Sequence, residues 1–177
     1  RTQRHNAPVS IILLDIDDFK KMNDVASYEF GDLGLRTTGQ IIRQSIRSID
    51  IPSRIGGDEF GIILPNTTLE EALTVAHRIR HTANQTIVED PQNQEYLRYS
   101  QGVAMYQGHQ LQDATQLFLR ANEALKSAKA AGKNQVQFYD PQRKQGSAEQ
   151  LLTAESLQAK AKDSKAEAAE ARVKEED

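Results

Sequence analysis

The sequence contains no cysteine, no long apolar run and no excess of basic residues. Without cysteine the chain cannot form a disulfide or a thiolate metal site, which is compatible with a reducing cytoplasm. No apolar stretch reaches the roughly 20 residues that cross a bilayer, and no signal peptide is evident. We therefore expect a cytoplasmic location. Since the chain opens on Arg1 rather than methionine, we expect a portion of a longer protein.

The charge balance is close to neutral, with 22 Lys and Arg against 25 Asp and Glu, and a net charge of -3. This balance argues against bulk electrostatic binding to DNA, RNA or an anionic membrane, so a nucleotide would have to be held at a defined site. The 177 residues are 38% hydrophobic and 27% charged, which is enough apolar material for one substantial core. The composition predicts a single soluble domain with an appendage.

The first apolar run, Val9–Ile16, is nearly continuous and rich in β-branched residues. Such a run predicts a central strand that is covered on both faces. Because side chains alternate along a strand, Asp15 and Asp17 should project to the same side where the strand ends. In isolation, Asp15, Asp17 and Asp18 would more often be ordinary strand-end and turn acids than ligands.

Helical spacing of apolar residues predicts a helix over residues 31–49 that ends before Pro52. A second helix is predicted over 68–81, because Thr68 and Glu71 have the spacing of a capping box.

The second half of the chain begins with a polar stretch, 82–95, to which we assign no element. A strand is predicted over 96–106 and a helix over 113–131, with Gly132 as the C-cap of that helix. A last strand is predicted over 135–139.

The composition changes after Pro141, where Ala, Glu, Lys and Gln dominate and aromatic residues are absent. We divide the chain into a domain over 1–140 and a charged tail over 141–177. The tail is expected to be helical or disordered, and it is a candidate for docking on a partner.

The pentapeptide Gly56-Gly57-Asp58-Glu59-Phe60 lies between a short polar segment and the apolar strand 60–64. Two glycines followed by two acids predict a tight hairpin that brings bare backbone and carboxylates to a charged ligand, such as a metal ion with phosphate. The acids of such a hairpin can also serve as turn residues without a metal. Adjacent carboxylates nevertheless repel each other unless a cation or basic group lies nearby.

This pentapeptide and its strand context resemble the signature of the GGDEF family, which makes cyclic di-GMP from two GTP molecules. The chain also follows the family's Asp-x-Asp-x-Phe-Lys-x-x-Asn-Asp stretch and a later Gly-Asp pair. The matching residues are Asp15, Asp17, Phe19, Lys20, Asn23, Asp24, Gly31 and Asp32. The resemblance covers about residues 8–140. It implies an α/β (α+β) fold with a central, mainly antiparallel sheet flanked by helices, like nucleotide cyclases and polymerase palms.

The resemblance implies a site for two Mg2+ or Mn2+ ions that bridge the GTP phosphates. Its ligands would be Asp15, the carbonyl of Ile16, Asp58 and Glu59, an all-oxygen set suited to a hard cation. Glu59 would also be the nearby base, so Asp15, Asp58 and Glu59 are the expected catalytic residues.

The resemblance also implies how GTP would be held. Asn23 and Asp32 would recognise guanine, since an Asp carboxylate accepts from the N1-H and the 2-amino group, neither of which adenine has. The other substrate-binding residues would be Lys20, Arg54, Gly56, Gly57, Lys129 and Lys133. Lys129 and Lys133 match the family's Ala-Lys-x-x-Gly-Arg-Asn motif, with lysine replacing the arginine. Considered alone, these two lysines would be typical of a solvated helix surface.

A further pattern, Arg47-x-x-Asp50, stands where the family has an inhibitory site for its product, and Arg78 matches an additional arginine of that site. An arginine fork suits this task because it grips phosphate and stacks on guanine. By itself the pair would be an ordinary exposed ion pair.

The leading interpretation is therefore a diguanylate cyclase that is active as a homodimer, since one domain would hold half of the reaction centre. The alternatives are an inactive GGDEF domain that senses GTP or cyclic di-GMP, and a structural or interaction domain in a larger, bacterial assembly. Ser27 and Tyr28 replace the glycine and histidine usual in relatives. Tyr28, together with the absence of the Asp-x-Leu-Thr-Gly-Leu-x-Asn-Arg segment that normally begins the domain in relatives, keeps these alternatives open.

Overall fold

The computed structural model describes residues 7–106, 114–139 and 146–147. Helices and strands alternate irregularly along the chain. In order they are β1 (Val9–Ile16), α1 (Phe19–Val25), α2 (Tyr28–Ser45), β2 (Ile51–Arg54), β3 (Glu59–Pro65), α3 (Leu69–Gln85), β4 (Ile87–Glu89), β5 (Gln94–Tyr96), β6 (Tyr99–Tyr106), α4 (Ala114–Ala130), β7 (Val136–Phe138) and β8 (Gly146–Ser147).

Six strands form the central sheet in the order β2-β3-β1-β6-β7-β8, and β4 pairs with β5 in a separate hairpin. Neighbouring strands of the central sheet are antiparallel except β6 and β7, which are parallel. This confirms the predicted fold class. The division of the chain at residue 140 stays a prediction. The strand β8 falls within the predicted tail, and the rest of the tail lies outside the described residues.

The two faces of β1 are both covered, which explains its continuous apolar sequence. Ile12, Leu14 and Ile16 belong to the main core, which includes buried residues of α2 and α3. Ile11 and Leu13 point the other way and pack with Ala121 and Leu125 of α4. Asp15 follows the same alternation and therefore faces the α4 side.

The helix α4 lies directly on β6 at Gly102. A Cβ atom added at Gly102 would be 2.1 Å from the carbonyl oxygen of Ala121 and 2.2 Å from the backbone nitrogen of Leu125. Both are backbone atoms, so no side-chain rotation would relieve the overlap. A glycine at this position is what allows α4 to sit so close to the sheet.

The helix α2 begins and ends earlier than predicted. Ser27 is its N-cap and accepts a hydrogen bond from the Phe30 N–H, which gives the unusual serine a local role. The predicted continuation to residue 49 is wrong, since Ile46 is already extended and Ile49 is 54% exposed. The physical reason is a turn in which the Asp50 carboxylate accepts from the Arg47 N–H at 2.7 Å.

Local signals located the remaining predicted elements with smaller errors, whereas α1, β2 and the β4–β5 hairpin were not predicted. The Thr68–Glu71 capping box is confirmed, although α3 continues to Gln85, beyond the predicted end. The strand β6 starts at Tyr99 rather than at residue 96, because residues 94–96 pair with β4 instead. No helix among the described residues combines the length and apolar character needed to cross a bilayer.

Candidate active site

Three acids converge where β1 ends. Asp15 lies directly opposite Glu59 in the β1–β3 register. The Ile16 N–H donates to the Asp58 carbonyl at 3.2 Å, so the ladder continues into the hairpin. This pairing brings together Asp15, Asp58 and Glu59, the acids for which the sequence predicts a shared role.

The Gly56–Gly57 hairpin is closed by its own backbone. The N–H groups of Ile55 and Gly56 both donate to the Glu59 carbonyl, at 2.9 and 3.4 Å. A Cβ at Gly56 would lie 3.4 Å from Oε2 of Glu59, whereas a Cβ at Gly57 would meet nothing within 4 Å. The bend therefore leaves open space above Gly57, beside the Glu59 carboxylate.

Arg54 is directed at the hairpin. Its Nη2 donates to the Gly57 carbonyl at 2.7 Å, and its Nε lies 3.2 Å from the Gly56 carbonyl. The guanidinium thus braces the bend in this arrangement. Its predicted contact with substrate stays a prediction.

Two lysines meet the acids from the α4 side. Nζ of Lys129, in the last turn of α4, lies 2.7 Å from Oδ2 of Asp15. Nζ of Lys133, in the turn after α4, lies 2.7 Å from Oδ1 of Asp18. Both residues were predicted as triphosphate ligands, and the fold places both beside the end of β1.

The electrostatics of Asp15 differ from those of Asp18. Burial raises the pKa of Asp15, the hydrogen bond from Lys129 opposes this, and the nearby Asp58 and Glu59 raise it further. Asp18 is exposed, and the hydrogen bond from Lys133 lowers its pKa. The same contact raises the pKa of Lys133. Negative charge at Asp15 is therefore only partly balanced.

The donor chemistry of this corner fits a divalent cation. Among residues 7–106 and 114–139, no group of three or more His, Asp or Glu side chains is already arranged as a metal cage. The carboxylate of Asp15 is instead turned toward Lys129. However, a nearly buried carboxylate with two further acids beside it is a set of hard oxygen donors, which Mg2+ prefers. The residues present therefore suit the predicted metal.

The residues predicted to read guanine lie where α1 meets α2. The Asn23 side chain packs over Gly31, since a Cβ at Gly31 would be only 1.7 Å from Oδ1 of Asn23. Asp32 is the next residue and is exposed, as is Lys20 on α1. Gly31 thus lets the amide of Asn23 lie beside the Asp32 position.

Sequence reasoning gave no role to a set of contacts around Asp17. Its carboxylate accepts from Oγ of Ser100 at 2.6 Å and from the backbone N–H of Asn134 at 2.8 Å. Asn134 in turn accepts at its carbonyl from Nη1 of Arg80 at 2.7 Å. The asparagine that ends the Ala-Lys-x-x-Gly-Arg-Asn motif was a signal for this turn, whereas nothing local in the sequence indicated Arg80.

The residues of the predicted inhibitory site also come together. The Arg47 guanidinium lies 3.4 Å from Asp50 and donates to Oγ1 of Thr67 at 2.5 Å. Arg78, on α3, donates through Nε at 3.2 Å and through Nη2 to the carbonyl of Ser45, which ends α2. Arg47 therefore lies in the segment between α2 and β2, and Arg78 contacts the residue that precedes this segment.

Comparison with known proteins identifies the domain. The family model described as the diguanylate cyclase GGDEF domain matches residues 1–135. The chain is 36% identical over 137 residues to Diguanylate cyclase DosC of Escherichia coli strain K12, covering 77% of this chain and 29% of that protein. It is 37% identical over 130 residues to Response regulator PleD of Caulobacter vibrioides strain NA1000 / CB15N, covering 73% and 29% respectively. The chain thus spans less than a third of the length of these relatives.

Solved structures agree with this result. The active GGEEF domain of a diguanylate cyclase from Vibrio cholerae superposes with a TM-score of 0.70 at 32% identity, covering 75% of this chain and 83% of that chain. The GGDEF domain of DgcB from Caulobacter crescentus, in complex with c-di-GMP, gives a TM-score of 0.68 at 26% identity, covering 73% and 76%. In sequence and in fold, therefore, this chain belongs to the GGDEF family of diguanylate cyclase domains.

Proposed function

We propose that this protein is a diguanylate cyclase, which condenses two GTP molecules into cyclic di-GMP and releases pyrophosphate. The observation that carries the proposal is the meeting of Asp15, Glu59 and Lys129 at the end of β1, beside the open Gly56–Gly57 bend. Acids and ammonium groups at one such corner can hold a metal-bound triphosphate.

GTP would be bound at both of its ends. Asn23 and Asp32 would hydrogen-bond the guanine edge, where the exposed carboxylate accepts from N1-H and the amino group. Lys20, Lys129 and Lys133 would neutralise the triphosphate. The hairpin of Arg54, Gly56 and Gly57 would admit the sugar and phosphates closely because its glycines carry no side chain.

The metal ligands would be the carboxylates of Asp15, Asp58 and Glu59 and the carbonyl of Ile16. Bound Mg2+ or Mn2+ would lower the pKa of the attacking hydroxyl and offset charge on the phosphates.

The chain's own groups would then complete each transfer. Glu59 would accept the proton of the 3'-hydroxyl, whose oxygen bonds to the α-phosphorus of the other GTP as pyrophosphate leaves. Lys129 and Lys133 would offset the charge of the departing pyrophosphate. The transfer occurs twice for each cyclic product. Because one domain binds one GTP, activity should require a homodimer.

We also propose that the product inhibits the enzyme at Arg47, Asp50 and Arg78. Cyclic di-GMP carries phosphates and guanines, which suit the flat arginine forks gathered at this segment. We propose that residues 1–140 form the catalytic domain, with the charged tail following, and that the protein acts in the cytoplasm.

A second candidate is a GGDEF domain that binds GTP or cyclic di-GMP without catalysis, as a sensor or as part of an assembly. The observation in its favour is at the start of α2, where Tyr28 replaces the histidine usual in relatives and is 79% exposed. This change affects the loop between α1 and α2, near Asn23, rather than the acids at the end of β1.

The deciding experiment is to incubate the full chain with GTP and Mg2+ and to measure cyclic di-GMP by chromatography. The sample must be shown to be dimeric by light scattering. Cyclic di-GMP formation supports the cyclase. Binding of GTP or of cyclic di-GMP by calorimetry without product formation would instead favour the sensor. Absence of product formation and of binding to either nucleotide would remove both the cyclase and the sensor.

A further inference from the structure

The turn that follows α4 has an unusual backbone. Gly132, Lys133 and Asn134 have φ values of 115°, 62° and 44°, so three consecutive residues lie in the left-handed region. Glycine adopts this region freely and asparagine tolerates it, whereas a lysine is strained there. Such a conformation persists only where surrounding contacts fix it.

Two side chains hold both backbone polar groups of Asn134. The Asp17 carboxylate accepts from the Asn134 N–H at 2.8 Å, and Arg80 donates to the Asn134 carbonyl at 2.7 Å. Asp17 is itself fixed, because its other oxygen accepts from Oγ of the buried Ser100 at 2.6 Å. One charged side chain is therefore hydrogen-bonded to the N–H of Asn134 and another to its carbonyl.

The two side chains that bind Asn134 come from different parts of the fold. Asp17 directly follows β1, whereas Arg80 belongs to α3, which packs on the sheet face opposite α4. The turn is thereby tied to both layers of the domain as it passes from α4 into β7. Its backbone also continues the end of α4, through the Lys133 N–H bond to the Ala128 carbonyl at 3.0 Å.

We call the end of β1 with Asp15, Asp18, Asp58 and Glu59 the acidic corner. The turn after α4 carries Lys133, one of the two lysines at this corner, and lies next to Lys129, the other. Lys133 lies between Gly132 and Asn134 and meets Asp18, and Lys129 lies in the last turn of the helix and meets Asp15. An error in the turn would therefore move the ammonium group of Lys133, while Asn23 and Asp32, on α1 and α2, would stay in place.

We propose that Arg80 and Asp17 are positioning residues that set the strained turn and so aim Lys133 at the triphosphate of GTP. They act through the backbone of Asn134 and do not touch the nucleotide. This inference rests on the proposed function, since it needs GTP to bind at this corner.

The test is a double-mutant cycle between Arg80→Met and Lys133→Met, with GTP affinity measured by calorimetry on the full chain. If Arg80 acts through Lys133, Arg80→Met alone should weaken GTP binding about tenfold, the value of one charge-assisted contact. In the Lys133→Met background it should then cause little additional loss. Arg80→Lys retains an N–H donor for the Asn134 carbonyl and should recover part of the affinity.

A merely structural role for Arg80 gives a different result. Arg80→Met would then lower the unfolding temperature and leave GTP affinity unchanged. Alternatively, Arg80→Met would weaken GTP affinity by the same factor with and without Lys133. Either outcome would overturn the proposal. Arg43→Met, an exposed arginine on α2, is the matched control and should change neither quantity.

The cycle also separates this inference from the proposed reaction. A wild-type protein that binds GTP but makes no cyclic di-GMP loses the cyclase assignment, while the cycle still decides the role of Arg80. A wild-type protein that does not bind GTP would overturn both.

Discussion

The acidic corner at the end of β1 and the Arg47–Asp50 turn are both charged, but they are built differently. At the corner, Lys129 meets Asp15 across 114 residues of sequence, so the pair forms only when α4 has docked on the sheet. In the turn, the paired residues are three positions apart. The contacts at the corner therefore require the complete fold, whereas the turn depends mainly on local backbone geometry.

The two places also differ in how well charge is balanced. Asp50 is buried and accepts from the backbone N–H and the guanidinium of Arg47. Asp15 is slightly less buried, and Asp58 and Glu59 lie near it as well as Lys129. Burial and the two neighbouring acids raise its pKa. A balanced pair favours a fixed structure, while an excess of negative charge favours binding of a cation.

The largest effect is expected for Glu59→Gln at the corner. Removing the proposed base and a metal ligand should lower cyclic di-GMP synthesis about 100-fold or more, measured by chromatography. The matched control is Glu70→Gln, since Glu70 is exposed in the first turn of α3. Equal activity in the two variants would exclude Glu59 from catalysis.

The next effect is expected for Arg47→Ala in the turn. Loss of contacts to a phosphate should raise the inhibition constant of cyclic di-GMP about tenfold or more, while the initial rate without product is kept. Arg43→Ala removes a neighbouring exposed arginine and should leave inhibition unchanged. If inhibition survives in Arg47→Ala, the turn is only a structural link between α2 and β2.

A smaller effect is expected for Gly31→Ala. The added Cβ would overlap Oδ1 of Asn23 and displace that side chain, so the KM for GTP should rise up to about tenfold as one hydrogen bond to guanine is lost. Gly39→Ala, on the same helix, has open space around its Cβ and should leave KM unchanged. If both variants behave alike, Asn23 does not contact the base.

The smallest effect is expected for the stability of Asp15→Asn. A raised pKa means that the folded state holds the Asp15 proton more tightly than the unfolded chain, whose ordinary value is 3.8. Ionisation of Asp15 therefore lowers the free energy of unfolding. The full loss applies at pH values above the raised pKa, and there is no loss well below 3.8. In metal-free buffer, Asp15→Asn should unfold a few degrees higher than wild type at neutral pH, with Lys129, Asp58 and Glu59 unchanged around it.

Calorimetric scans at several pH values would check this expectation. The difference in unfolding temperature should shrink as the pH falls toward 3.8. A variant that is less stable than wild type at neutral pH would mean that the Lys129 contact outweighs the burial of Asp15.

The same contrast explains what the sequence could predict. The capping box of α3, the glycine hairpin and the Gly132 C-cap follow from residues a few positions apart, and the structure has each of them. The end of α2 was misjudged because Ile49 fits the helical spacing, while Arg47 and Asp50 form a turn instead. The local sequence fits both a longer helix and a turn, and so it could not show where α2 ends.

The contacts at the acidic corner could not be derived from spacing. Matching to a family assigned Lys129 and Lys133 a role, but only the docking of α4 shows which acids they meet. Arg80 had no signal of its own because the group that links it to this turn is a backbone carbonyl far along the chain. Such a contact constrains neither the type nor the spacing of nearby residues.

The tight seat of α4 on Gly102 has a consequence for how members of this family are sorted into active and inactive proteins. One methyl group at position 102 would push against the helix backbone, and the ammonium of Lys129 would retreat with it from Asp15. A relative could thus keep the complete Gly-Gly-Asp-Glu-Phe signature and still be inactive because of a substitution in its core. Genome surveys that judge competence by the signature alone would count such a protein as active.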